Sequence, residues 1–249
     1  MRYSLAAGWL ILIVCAPALA ITGGAPTALV NGRHAVLIVG SHGTFCTGAA
    51  IARDLVLTAG HCVDAGTHYK IVEFNAAHEP QLLDVREASR HPQFNLQTLL
   101  AHRATADVAL MKMAAPLPDE VIPAVIGNVP APKVGDSLTV FGYGVAIRGD
   151  GKSGGMLRAA SLVVTGRPGN LQIRLVDPKT EGKTPGLGAC TGDSGAPVFA
   201  GTALIGVVSW STGPTMSAGC GGMTGITPLS LYRAWIVDEA RRLGSPLAP

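Results

Sequence analysis

The chain has 249 residues, enough to bury a sizeable core either as one compact unit or as two small barrels. Only 14% of residues are charged and the formal net charge is +3, so composition provides no basic face broad enough for nucleic acid. Glycine (32) and proline (17) stay below the level of a low-complexity chain, and 48% hydrophobic content requires a packed fold with many turns.

Residues 1–20, MRYSLAAGWLILIVCAPALA, carry one basic residue, an apolar run from Leu5 to Cys15, a proline and then Ala18-Leu19-Ala20. This is the pattern of a secretory signal cut after Ala20, and it sends the mature protein to the periplasm or the medium. The run is too short for a bilayer span and no later stretch of eighteen apolar residues follows, so no stable membrane span is expected. Removing the leader discards Cys15 and leaves Cys46, Cys62, Cys190 and Cys220. An even count in an exported chain predicts two disulfides; three connectivities are open, local pairing among them. A zinc site would want Cys-x-x-Cys or histidine spacing, which is missing, and no metal or other cofactor is expected.

Short aliphatic runs then recur between turn signals: 35–39, 49–51, 55–58, 71–74, 108–113, 138–141, 162–164, 171–176, 197–199 and 204–210. This spacing predicts an all-β barrel or sandwich. The proline-rich stretch 115–132 reads as a connection between two β halves. One helix is expected over 229–243, closed by Gly244 and Pro246. No internal sequence repeat is evident.

Three segments carry chemistry. LVLTAGHC sets His61 after an apolar strand and beside Cys62; ADVALMKM opens a strand with Asp107, where a carboxylate needs hydrogen-bond donors; CTGDSGAP holds Ser194 in a tight turn whose backbone N–H groups can converge. Amide hydrolysis needs an activated nucleophile, a base, a group to hold the base, and donors for the developing oxyanion. Each residue alone is commonplace, but the three together with four cysteines and an export signal are specific.

Over 21–243 these features resemble the chymotrypsin/trypsin family of serine proteases. The resemblance implies two antiparallel β-barrels, about 21–120 and 121–230, with a C-terminal α-helix, in a single peptidase domain over 21–249. It implies Ser194 as nucleophile, His61 as general base and acid, Asp107 as the orienting carboxylate, and the N–H groups of Gly192 and Ser194 as oxyanion donors. Ser209 matches the serine that bonds the catalytic aspartate, and Trp210 begins the edge on which substrate pairs as an added strand. Cys46 with Cys62, and Cys190 with Cys220, match two family disulfides. ITGG matches the family's mature N-terminus, whose ammonium would pair with Asp193, so that signal cleavage before Ile21 would itself activate the enzyme. The chain order His, Asp, Ser also separates this pattern from an α/β-hydrolase.

Departures bear on specificity. The pocket-floor position is Gly188, followed by Ala189, so no acid waits for Arg or Lys; Ser211 stands where many relatives have glycine. A small to medium apolar side chain before the scissile bond is expected. His34, His42, His68, His78, His91 and His102 read as surface residues, and Glu73 and Glu79 do not make a calcium loop. The expected protein is a monomer acting on polypeptides. A binding module derived from the family, or an esterase, is the alternative.

Overall fold

The computed structural model describes residues 21–23, 25, 32–74 and 79–247; the leader and His78 lie outside them. Six antiparallel strands close a first barrel: β1 (Ala35–Gly40), β2 (Phe45–Ala52), β3 (Leu55–Thr58), β4 (Tyr69–Phe74), β5 (Pro80–Arg90) and β6 (Ala109–Met113). Six more close a second: β7 (Ser137–Gly142), β8 (Arg158–Gly166), β9 (Ile173–Val176), β10 (Pro197–Ala200), β11 (Ala203–Ser211) and β12 (Met223–Pro228). Strand order is β1-β2-β3-β6-β5-β4 in the first and β10-β11-β12-β9-β8-β7 in the second. The neighbour pattern is therefore the same in both barrels, a repeat of topology that the sequence does not display.

Ten of the twelve strands among the described residues coincide with the aliphatic runs. The two that do not have physical reasons. β5 is largely solvent-facing, so its PQLLDVREASR carries polar residues where a core strand would carry Val or Ile, yet it pairs with β4 and β6 and closes the barrel. In β12, MTGITP is not an aliphatic run, and a Cβ on Gly225 would lie 2.0 Å from the Trp210 ring, so the glycine records close packing.

Three apolar clusters hold the molecule. One fills the first barrel, around Val36, Ile38, Val56, Ile71 and Met111. Another fills the second, around Leu138, Val140, Leu162, Leu175 and Ile226. A third lies between them, where Leu57 and Leu110 meet Phe141, Phe199 and Val207, and it is capped by Ile236 and Ala240. Burial of side chains of this size is worth about 1.5–3 kcal/mol each, so the interface between barrels is a core in its own right.

The terminal helix is shorter than expected. Leu229–Leu231 form a 3₁₀ turn, Tyr232 leaves helical geometry at φ −116°, and α-helix runs only over Arg233–Arg242. The apolar spacing registered one buried face but not the break. Beyond the helix, Lys112 of β6 contacts Asp54, Ser245 and the Gly244 carbonyl, which ties the tail to the first barrel. The proline-rich stretch crosses between barrels, with Ile122 N–H donating to Arg33 O, Ala124 N–H to Ala50 O, and a bridge from Ile126 to Leu204. A further short helix, Leu96–Leu100, has no counterpart in the sequence pattern; the Asn95 side chain accepts from Thr98 N–H and caps it. No helix among the described residues is long and apolar enough to cross a membrane.

Candidate active site

His61 sits on a 3₁₀ turn, Gly60–Cys62, where β3 leaves the first barrel, and the Cys46–Cys62 disulfide fixes that turn to β2. Asp107 precedes β6 and has no solvent exposure. Its carboxylate is satisfied from three directions. The His61 backbone N–H donates to Oδ1 at 2.9 Å, His61 Nδ1 to Oδ2 at 2.9 Å, and Ser209 Oγ to Oδ2 at 2.5 Å. A carboxylate only accepts, so the imidazole proton sits on Nδ1 and Nε2 presents a lone pair. The second barrel thereby contributes Ser209 to a pair built by the first.

Ser194 is half-buried and lines a cleft of about 480 Å³ with His61, Phe45, Gly192 and Ser211. Its hydroxyl makes no hydrogen bond to the imidazole among the described residues, a contact that commonly tightens only when substrate binds. The peptide groups around it are locked. Thr191 O accepts from Val145 N–H at 2.8 Å, and Asp193 O accepts from Ala196 N–H at 3.0 Å. In a trans peptide the N–H points opposite to the carbonyl, so the N–H groups of Gly192 and Ser194 are both aimed away from those partners. Among the described residues neither donates to a protein acceptor. The turn demands glycine twice. Gly192 has φ +95° and Gly195 φ +78°, and an added Cβ would meet the Phe45 ring at 2.4 Å or the Thr58 hydroxyl at 2.1 Å.

Asp193 is wholly buried beneath this turn. Its Oδ1 accepts from Gly144 N–H at 2.8 Å and its Oδ2 from Cys190 N–H at 2.9 Å. Burial pushes the carboxyl up to about 7, although the two N–H groups and the charge of Arg158 pull the other way. Arg158, itself buried, is a residue that sequence reasoning passed over; an arginine opening an unremarkable strand gives no signal of burial. Ile21 is buried in the second barrel's cluster with Ala189 and Ala196, and Thr22 forms a bridge with Gly188, its hydroxyl donating to Gly188 O at 3.2 Å.

Gly188 and Ala189, the expected pocket-floor residues, are close-packed. A Cβ on Gly188 would lie 3.2 Å from Gly221 Cα and 3.5 Å from the Thr224 hydroxyl, and Ala189 N–H donates to that hydroxyl at 3.0 Å. Cys190 is bonded to Cys220 across the same region. Along β11, the β10 side is paired only as far as Val208, so Ser209, Trp210 and Ser211 have an open edge there. A second depression of about 370 Å³ lies beyond His61, among Phe94, Leu99, His102 and Trp210. His102 stacks on the Trp210 ring at 4.8 Å. His91 corrects the surface expectation: it is 9% exposed, packs against Tyr232 and Trp235, and burial lowers its pKa.

The comparisons with known proteins agree with this geometry. Residues 21–236 match the family model described as Trypsin. A trypsin of Xenopus laevis is 28% identical over 232 residues, covering 87% of this chain and 89% of its own length. Kallikrein-15 of Homo sapiens is 27% identical over 219 residues, covering 79% and 82%. Among solved structures, neuropsin, a serine protease expressed in the limbic system of mouse brain, superposes with a TM-score of 0.66 at 21% identity, over 84% of this chain and 95% of that one; this likeness concerns the fold. With the matched span running from Ile21 through all three chemistry-bearing segments and into the terminal helix, the chain belongs to the trypsin family of serine proteases.

Proposed function

We propose that the protein is an exported, monomeric serine endopeptidase that cleaves polypeptides through an acyl-enzyme on Ser194 and does not select Arg or Lys before the scissile bond. The observation that carries this reading is the triply bonded Asp107 holding His61 beside Ser194 in one cleft. Ser194 Oγ attacks the carbonyl carbon while its proton passes to His61 Nε2, and the imidazolium is stabilised by Asp107. The oxyanion formed is received by the N–H groups of Gly192 and Ser194. His61 then returns the proton to the leaving amine as the C–N bond breaks. Water, deprotonated by His61, repeats the cycle on the ester and frees Ser194. The open edge at Ser209–Ser211 would pair with the substrate backbone.

Maturation follows from the same reading. Ile21 is β-branched yet has φ +44°, a conformation that costs about 1–3 kcal/mol. That torsion is defined by the preceding carbonyl, so cutting the chain after Ala20 removes the constraint and leaves an ammonium to pair with Asp193. Export to an oxidising compartment suits the two disulfides.

The test is titration of the mature protein with an organofluorophosphonate, read by intact mass. One label per chain beginning at Ile21, and none on Ser194→Ala, is expected; a folded chain that takes no label would overturn the reading. For specificity, a peptide series varied before the scissile bond should favour Ala, Val or Leu over Arg in kcat/KM by about tenfold or more, consistent with burial of a modest apolar side chain against a floor lacking an acid. A preference for Arg would refute this.

A further inference from the structure

Thr47 lies in β2, on the first barrel, yet its hydrogen bonds reach the nucleophile turn on the second. It has no solvent exposure. Its backbone N–H donates to Ser194 O at 2.8 Å, and its own carbonyl accepts from the Thr58 hydroxyl at 2.8 Å, on the strand that leads to His61. Its hydroxyl donates to Gly192 O at 2.8 Å and accepts from Tyr143 N–H at 3.1 Å. One buried hydroxyl thus uses both its donor and an acceptor site across the barrel interface, leaving neither side unsatisfied.

We propose that the Thr47 hydroxyl is a positioning group for oxyanion stabilisation, clamping the Gly192 carbonyl so that the donors on the second barrel stay aligned with His61 on the first. This rests on the serine peptidase reading above. Gly192 is flanked by two peptide groups. The one before it is pinned by Val145 N–H on the Thr191 carbonyl; the one after it is pinned by Thr47 on its carbonyl and by Cys190 O on the Asp193 N–H. Val145 and Cys190 belong to the second barrel's own loops, so they hold the turn's internal shape. Thr47 is a side chain that ties that shape, by hydrogen bonds on both of its faces, to the barrel carrying His61 and Asp107. Glycine at φ +95° has few intrinsic restraints, so an external clamp has most to do at this residue. Because the donors act only on the developing oxyanion, an error in their placement reduces transition-state stabilisation and leaves substrate binding nearly intact.

The experiment compares wild type, Thr47→Val and Thr47→Ser, each counted by organofluorophosphonate titration. Steady-state kcat and KM are measured on one peptide amide, with the affinities of a peptidyl trifluoromethyl ketone, which forms a tetrahedral adduct, and of the matching alcohol, which does not. Thr47→Val is expected to lower kcat about tenfold with KM within about twofold, to weaken the ketone about tenfold and to leave the alcohol unchanged; Thr47→Ser restores all four values to within about threefold. Should Val prevent folding beside Tyr143, Thr47→Ala removes the hydroxyl without added bulk, and the same outcomes apply. Unchanged kcat, or equal weakening of ketone and alcohol, overturns the proposal while the labelled wild type preserves the peptidase reading. A wild type that takes no label overturns both.

Discussion

Asp107→Asn should lower kcat for a peptide amide by on the order of 10⁴-fold while the protein remains folded. The reason lies in the count of donors. The carboxylate accepts from the His61 backbone N–H, from His61 Nδ1 and from Ser209 Oγ, all at 2.5–2.9 Å. An amide has one oxygen to accept with and one nitrogen that only donates. If its oxygen stays on the His61 backbone N–H, its NH₂ faces Nδ1 and Ser209. Ser209 can turn its hydroxyl round, but Nδ1 can accept only by giving up its proton, which then sits on Nε2. That tautomer has no lone pair towards Ser194 and cannot act as base. If the amide flips, the buried His61 N–H is left opposing an NH₂ group, and the turn carrying His61 is displaced instead. Both arrangements disable the base without removing any of the groups that bind substrate. The measurement is kcat and the rate of organofluorophosphonate labelling, which should fall together, with KM within a few-fold. A loss below about tenfold would mean that the base is oriented by something other than Asp107.

The sequence was most legible where one residue type answers to one physical demand. Aliphatic runs bounded by turns marked ten strands because a barrel interior needs them, and the motif around Ser194 needs glycine at φ values that other residues resist. Legibility failed where the demand comes from the far side of the fold. β5 is polar because it faces water, Gly225 is dictated by the Trp210 ring, and His91 is buried by two aromatic rings of the terminal segment. Thr47 is the clearest case. Nothing in FCTGAA separates it from any strand threonine, since its hydroxyl matters only once β2 lies against the nucleophile turn. The joint pattern of His61, Asp107 and Ser194 pointed to the family because those three residues sit in locally distinctive segments; residues that join one barrel to the other do not.

A chain whose Ile21 amine is acetylated, or extended by one residue, should lose activity at about pH 8 by on the order of 10²-fold relative to the chain beginning with free Ile21. Asp193 explains why. With Ile21 in an unbroken chain, burial pushes its carboxyl up to about 7, far above the ordinary value near 3.9. A raised acid contributes stability that is fully present below the unfolded value and lost as pH rises through about 7. In the blocked chain this contribution is therefore gone at about pH 8. Ionising Asp193 there places a charge in a fully buried site, where only the Gly144 and Cys190 N–H groups and the Arg158 charge offset its desolvation, and the cost falls on the turn that Asp193 supports. A free ammonium arriving beside it favours the carboxylate, lowers its pKa and reverses the sign, until the amine itself deprotonates at alkaline pH. Arg158 is the other charge acting on Asp193; burial lowers its own pKa, but a guanidinium remains protonated across this pH range. Thermal unfolding of both forms at about pH 5 and pH 8 reads the sign directly. The blocked chain should be the more stable of its two states at pH 5, and the free chain should show no such preference. If blocking leaves kcat at pH 8 unchanged, then Arg158 and the two backbone donors suffice to hold an ionised Asp193, and activation by the new N-terminus is not how this enzyme is switched on.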